Sequence, residues 1–224
     1  MSGKVLYIRG LFVDNDGVLL DSYPGAVATH IAMARQLRLR VPTPGQLRRA
    51  FGMQWESEML PYLWPNDHLR FRKAYLAKHN GNLKVPTFPG LLDTLKDLRD
   101  CGMHLGVVTN RDRESTLRRW KEVGIKPRMF TVVTTSRDTP FRKPHPGAFE
   151  PALKKFAQAG VRRTDTALAG DTLIDYEAAQ KLGIPFIGVA TGPCTVDDFI
   201  AAGVPKRRII ESPWELIRIV RSPA

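Results

Sequence analysis

The chain has 224 residues, 43% of them hydrophobic and 25% charged, with a formal net charge of +12. That length buries a core without disulfides or structural metals, and the composition excludes a disordered chain and a disulfide scaffold. No apolar run approaches the roughly 18 residues needed to cross a bilayer, and the first apolar stretch, broken by Arg9 and Gly10 and closed by Asp14, does not read as a signal peptide.

Residues 5–13 are rich in Val, Leu, Ile, Tyr and Phe and predict one buried strand that stops at Asp14-Asn15-Asp16-Gly17. Residues 23–84 hold no strand pattern. Ile31, Ala34 and Leu37 predict a helix there, as do Met59-Leu60 and residues 69–76. Tyr23-Pro24-Gly25 and Val85-Pro86-Thr87-Phe88-Pro89-Gly90 read as joints at its borders. Leu91, Leu92, Leu95 and Leu98 then share one helix face. A strand over 105–108 follows and ends at Thr109-Asn110. Leu117, Trp120 and Val123 predict the next helix, stopped by Gly124. A third strand covers 130–133. Phe149, Leu153, Phe156 and Ala157 form a helix face before Gly160. A short strand over 167–169 ends at Gly170-Asp171, and Ile174, Ala178 and Leu182 mark a helix before Gly183. Strands at 185–189 and 208–210 and a terminal helix over 213–220 complete the chain.

Strand and helix alternate, so the expected class is α/β, a Rossmann-like, mostly parallel sheet covered by helices on both faces. A small all-α cap is inserted after the first strand. The expected division is a core of residues 1–22 and 86–224 and a helical cap of residues 23–85. There is no internal repeat and no low-complexity segment.

The charge is uneven. Residues 23–88 carry 10 basic and 3 acidic groups, over half of the net excess in under a third of the chain. Such a field attracts anions, whether nucleic acid, acidic membrane or a phosphorylated small molecule, unless it is only solvated surface charge. The two cysteines, Cys101 and Cys194, lack the spacing of a zinc site or redox motif, so reduced thiols in a cytoplasm are expected.

In a parallel α/β sheet, ligands bind beyond the carboxyl ends of the strands. The polar residues directly after the predicted strands are Asp14 and Asp16, Thr109 and Asn110, and Gly170 and Asp171. Lys143 follows the third strand after an irregular loop. Acids, a hydroxyl, an amide and one lysine thus converge on one edge, as metal-assisted phosphoryl transfer requires. Mg²⁺ prefers oxygen ligands, often one or two carboxylates with substrate phosphate and water, and Asp14 and Asp171 can supply them. Asp175, one helical turn past Asp171, can face the same ion. A carboxylate can also attack phosphorus. Lys143 and the Thr109 hydroxyl can neutralise phosphoryl oxygens.

These segments carry a resemblance. Phe12-Val13-Asp14-Asn15-Asp16-Gly17-Val18-Leu19-Leu20-Asp21-Ser22 resembles the first motif of the haloacid dehalogenase-like (HAD) hydrolases. Val107-Val108-Thr109-Asn110 is similar to the second and Arg142-Lys143-Pro144-His145-Pro146 to the third. The run from Gly170-Asp171-Thr172 through Asp175 to Ala179 is similar to the fourth. The likeness spans about residues 5–203, and the helical insert resembles the small cap of the branch that holds phosphoglycolate phosphatase-like and beta-phosphoglucomutase-like proteins. The resemblance implies that Asp14 is the nucleophile and that Asp16 protonates the leaving oxygen, then deprotonates the attacking water. It implies that Asp14, the main-chain carbonyl of Asp16 and Asp171 hold Mg²⁺ with Asp175 in support. Thr109, the Asn110 main chain and Lys143 would bind phosphate. The cap would close over the site and select the substrate.

Asn15 stands where the family more often has an apolar residue. Its side chain should point away from the phosphate, because adjacent strand residues face opposite sides. Arg48 and Arg49 of the insert either meet a second anionic group or lie on a helix surface. His145 reads as structural or solvated, and Trp55, Trp64, Phe71 and Tyr75 as the core of the cap. The expected function is a Mg²⁺-dependent phosphatase of a small phosphorylated metabolite, such as a phosphoglycolate-like monoester, working through an aspartyl-phosphate. A sugar-phosphate mutase would use the same residues. A haloacid dehalogenase would need neither Asp16 nor a metal-binding Asp171. A non-catalytic basic binding module would be expected to have lost Asp14, Asp16, Lys143 or Asp171. No specific nucleic-acid or membrane partner is expected, and either a monomer or a homodimer is compatible with the sequence.

Overall fold

The computed structural model describes residues 5–79 and 84–223. In chain order the elements are β1 (Leu6–Tyr7), β2 (Gly10–Val13), α1 (Tyr23–Gln36), α2 (Pro44–Ala50), α3 (Leu60–Leu63), α4 (His68–His79) and α5 (Leu91–Asp100). Then come β3 (His104–Val108), α6 (Arg113–Val123), β4 (Val132–Thr134), α7 (Glu150–Gln158), β5 (Thr166–Gly170) and α8 (Leu173–Leu182). The last are β6 (Phe186–Val189), α9 (Val196–Ala201), β7 (Ile209–Ile210), α10 (Leu216–Ile219) and β8 (Val220–Arg221).

Six strands form one parallel sheet in the order β4-β3-β2-β5-β6-β7. The first long strand, β2, is therefore central, and later strands are added on both of its sides. The point where strand order reverses lies beside β2, where such sheets open a crevice at their carboxyl edge. Every residue of β2 and β5 is buried, as continuous apolar runs covered on both faces require. One face packs Leu11, Val13, Leu105 and Val107 against Leu91, Leu95 and Leu98 of α5 and Trp120 of α6. The other packs Phe12 and Leu168 against Phe156 of α7, Ala178 of α8 and Phe199 of α9. Phe12 and Phe156 stack with ring centroids 4.5 Å apart.

Two expected elements differ. The strand expected over residues 5–13 is broken: Leu6–Tyr7 pairs with β8 as a separate two-stranded parallel ribbon, and only Gly10–Val13 enters the main sheet. The partner changes between them, because Ile8 N bonds Arg221 O whereas Arg9 N bonds Asp165 O. The terminal helix expected over 213–220 is instead a 3₁₀ turn, Pro213–Glu215, one turn of α10, and the strand β8. The apolar positions Leu216, Ile217, Ile219 and Val220 fit helix or strand, and pairing with β1 decides for strand at Val220.

The regular elements of the insert after β2 are all helical among its described residues. Its own core contains Met33, Ala34, Leu47, Leu60, Leu63, Trp64 and Phe71. Trp55 and Tyr75 pack against that core half-buried. His30 is buried beside the stacked Trp64 and Phe71 rings, accepts from Trp55 Nε1 at 3.0 Å and lies 2.7 Å from Ala26 O. Burial pushes it down to about 4, so it is a neutral packing residue of this helical cluster. The chain enters and leaves the insert side by side: Asp21 N bonds Pro86 O and Thr87 Oγ1 bonds Leu19 O.

Candidate active site

Asp14 directly follows β2, and its N–H still bonds Ala169 O of β5 at 3.0 Å. The next residues turn sharply. Gly17 adopts φ +75°, and both Leu19 N and Leu20 N bond Asn15 O. Asn15 points away from the edge into the core, where its Oδ1 accepts from Trp120 Nε1 at 2.7 Å. This agrees with the alternation of the strand.

Asp171 follows β5. A Gly-Asp before a helix often reads as an N-cap, but the cap of α8 is Thr172, which accepts from Asp175 N. Asp171 is thereby left free of helix duty. It is fully buried, and neither carboxylate oxygen has a hydrogen-bond partner among the described residues. Gly17 and Gly192 frame it: a β-carbon at either position would collide with Asp171 Oδ2. Thr191 Oγ1 donates to Gly17 O and joins the loop after β6 to the turn after β2.

Asp14, Asp171 and Asp175 each place an oxygen within 4.8 Å of the others, all buried. Lys143 is buried among them. Its Nζ lies 2.6 Å from Asp175 Oδ1 and 2.7 Å from Asp14 Oδ1, though poorly aligned on the latter. Burial pushes Asp14 up to about 7 against the pull of Lys143, with Asp175 adding to the rise. Burial, then Asp14 and Asp175, raise Asp171 well above the carboxylate range. Burial opposes the charge on Lys143, but the two carboxylates beside it outweigh that and raise its pKa. Three carboxylates thus face one ammonium. The excess negative charge, the partnerless oxygens of Asp171 and the glycine frame fit a small hard divalent cation with oxygen ligands.

The residues that follow β3 are held close by. Thr109 and Asn110 are buried at the end of β3. Asn110 clamps the lysine loop, accepting from Lys143 N at 2.8 Å and donating to Lys143 O at 3.1 Å. The same amide donates to Gly52 O at 3.0 Å and ties a loop of the insert to the sheet edge. Its side chain is therefore structural, which leaves only its main chain for a ligand.

Asp16 stands apart from the carboxylate cluster. Arg111 grips it with two bonds, Nε to Oδ2 and Nη2 to Oδ1, both 2.8 Å. Asn15 Nδ2 adds a third at 3.0 Å, and Arg119 Nη1 lies 3.8 Å from Oδ1. Burial opposes ionisation here, but the Arg111 charge and hydrogen bonds prevail and hold Asp16 below the usual carboxylate range. Sequence reasoning missed Arg111 and Arg119. Arg111 adjoins Thr109-Asn110 and could have been found there, whereas Arg119 lies on a helix with no local signal. Arg48 and Arg49 are exposed at the end of α2. His145 accepts from Gly147 N and stacks on Phe141, a structural place as expected.

Residues 11–189 match the family model described as haloacid dehalogenase-like hydrolase. A phosphoglycolate phosphatase of Salmonella typhi is 27% identical over 218 residues, covering 84% of each chain. The pyrophosphatase PpaX of Bacillus pumilus is 36% identical over 109 residues, 49% of each chain. Among solved structures, a hydrolase from Pseudomonas syringae superposes with a TM-score of 0.77 at 21% identity, covering 94% of this chain and 96% of the other. A haloacid dehalogenase-like family protein from Streptococcus pneumoniae gives 0.73 at 21%, covering 94% and 97%. These last two show the shared fold.

Proposed function

The chain belongs to the haloacid dehalogenase-like hydrolase family, and from that premise we propose that it is a Mg²⁺-dependent phosphatase of a small phosphorylated metabolite, working through an aspartyl-phosphate on Asp14. The observation that carries this reading is the buried group of Asp14, Asp171 and Asp175 around Lys143 at the carboxyl edge of the central strand. The relatives named phosphoglycolate phosphatase and pyrophosphatase support the phosphatase class.

In this reading Asp14 and Asp171 hold Mg²⁺ with the main-chain carbonyl of Asp16, and Asp175 supports them. The bound ion neutralises phosphoryl charge. Asp14 attacks phosphorus through one oxygen as the ester bond breaks, and Asp16, once released by Arg111 and protonated, delivers a proton to the departing oxygen. Water then attacks the phosphoryl group, gives its proton to Asp16, and restores Asp14 as inorganic phosphate leaves. Lys143, the Thr109 hydroxyl and the Asn110 N–H hold the phosphoryl oxygens. Residues 23–85 act as the cap that excludes water from a core of residues 1–22 and 86–224. The two cysteines are unpaired, Cys101 exposed and Cys194 half-buried, which suits a reducing cytoplasm. Among the described residues no helix is long and apolar enough to cross a membrane.

The test is phosphate release from a panel of phosphorylated metabolites with Mg²⁺, with EDTA, and with Asp14→Asn. Metal-dependent release that the variant lacks is expected. Wild-type-like turnover by Asp14→Asn would remove the nucleophile from the reading, and conversion of a sugar phosphate to its isomer would move it to the mutase.

A further inference from the structure

We propose that Asn15, aimed by Trp120, is a positioning residue for Asp16: it pins Oδ2, so that Oδ1 is the oxygen turned to the leaving group and then to the water. The inference rests on the reading of Asp16 as the proton carrier and deepens it by naming the residue that orients it.

Asn15 is fully buried, and its main-chain carbonyl is held in the turn after β2 by Leu19 N and Leu20 N. Its side chain stands between two groups of opposite demand. On one side is Trp120 Nε1, 2.7 Å from Oδ1, and an indole nitrogen only donates. On the other is Asp16 Oδ2, 3.0 Å from Nδ2, and an ionised carboxylate only accepts. A single orientation of the amide satisfies both. A flip would set donor against donor at Trp120 and oxygen against oxygen at Asp16. Trp120 is itself fully buried and packs on Phe130 with ring centroids 5.0 Å apart, so the core, not solvent, aims the amide.

The two oxygens of Asp16 are therefore unequal. Oδ2 accepts from both Asn15 Nδ2 and Arg111 Nε, which fills its acceptor positions. Oδ1 accepts only from Arg111 Nη2, and Arg119 Nη1 stays 3.8 Å away, beyond hydrogen-bond reach. A carboxylate gripped on both oxygens by one guanidinium cannot face a leaving oxygen and then a water, so Arg111 must let go during the cycle. On release Oδ1 has no donor left among the described residues, whereas Oδ2 keeps Asn15. A proton settles on the oxygen that no donor faces. Oδ1–H thus gives its proton to the ester oxygen, which leaves with the electron pair of the broken P–O bond, and Oδ1 afterwards takes a proton from the attacking water. Without the pin the carboxyl group turns about its Cβ–Cγ bond and presents the wrong oxygen for part of the time.

The experiment is single-turnover release of the phenol from two aryl esters, with the protein in excess and Mg²⁺ present. One is p-nitrophenyl phosphate, whose leaving group departs unprotonated. The other is p-methylphenyl phosphate, whose leaving group calls for a proton. Asn15→Leu keeps the volume and removes the donor. Trp120→Phe keeps a ring and frees the amide to flip, and it serves as the second probe should Asn15→Leu not fold. Each should slow the methylphenyl ester by about tenfold, as loss of one charge-assisted hydrogen bond does, and leave the nitrophenyl ester within about twofold of wild type. The double variant should be no slower than Asn15→Leu alone, because both act through one chain of bonds. Loss of packing would slow both esters alike. That result, unchanged rates for both esters, or additive losses in the double variant would overturn the pin. Asp16→Asn in the same assay separates the pin from the reading beneath it. Selective slowing of the methylphenyl ester by Asp16→Asn, with neither ester slowed by Asn15→Leu, removes the pin alone. Equal slowing of both esters by Asp16→Asn removes the proton carrier, and the pin with it.

Discussion

A carboxylate buried without a donor destabilises the fold that holds it, and Asp171 is such a group. Its raised pKa means that the folded chain holds this proton more tightly than the unfolded chain does. The same is true of Asp14, pushed up to about 7. For an acid of this kind, the stabilising contribution is present at low pH and fades as pH rises from the unfolded value, about 4, through the folded one. The metal-free protein should therefore lose stability over that window. A divalent cation that replaces the protons should restore it. Thermal unfolding should show a larger Mg²⁺-induced rise in Tm near about pH 8 than near about pH 5. Equal rises would contradict the site. Asp171→Asn should raise the metal-free Tm near neutral pH and abolish the Mg²⁺ response. A lower metal-free Tm with an intact response would place the cation elsewhere.

At the scale of the element, the N-terminus of α8 does two jobs. Thr172 caps the helix, and its hydroxyl also donates to Asp175 Oδ2 at 2.6 Å. Thr172→Ala should cost about 1 kcal/mol in urea unfolding and lower kcat by loosening Asp175, whereas Thr172→Ser should keep both. Loss of stability with kcat unchanged would separate the cap from the site. The strand-end residues were legible because a buried parallel strand stops at a polar residue, and the carboxyl edge gathers those stops. Asp14 and Asp171 were found in that way, Asp175 by its place one helical turn past Asp171, and Lys143 in the irregular loop after the strand over 130–133. Arg111 was in plain view beside Thr109-Asn110 but has no chemistry until Asp16 is seen on it. Arg119 lies a full two turns further on, within α6, where the neighbouring Trp120 Nε1 donates to Asn15 Oδ1. Residues 5–13 and 213–220 were misread for a shared reason: each partner is the other end of the chain, and periodicity carries no such long-range pairing.

At the scale of the whole molecule, the net charge of +12 is weighted toward the insert, whose Gly52 carbonyl accepts from Asn110 at the sheet edge. In the proposed reaction the buried acids alone would repel a phosphate ester, and the basic insert would draw it in. That long-range part is screened by salt, over about 8 Å at physiological ionic strength. Raising NaCl from about 50 to 500 mM should therefore lower kcat/KM for an anionic substrate several-fold with little change in kcat. An unchanged kcat/KM would show that the charge serves solubility alone. Within the insert, Phe71 is fully buried beside Trp64 with ring centroids 4.0 Å apart. Phe71→Ala should cost about 3–5 kcal/mol and expose insert amides to hydrogen exchange before those of β2 and β5. Simultaneous exchange of both would contradict an insert that packs around its own core.

The most direct measurement is the covalent intermediate itself. Wild-type and Asp16→Asn proteins are mixed with a labelled phosphomonoester and Mg²⁺, quenched in acid, digested, and searched by mass for a phosphorylated peptide. The account predicts an acid-stable, hydroxylamine-sensitive phosphoryl group on the peptide that contains Asp14. With a leaving group acidic enough to depart unprotonated, the group should accumulate in Asp16→Asn, where the water has lost its base. A phosphoryl group on any other residue, or phosphate release with no labelled peptide in either protein, would contradict it.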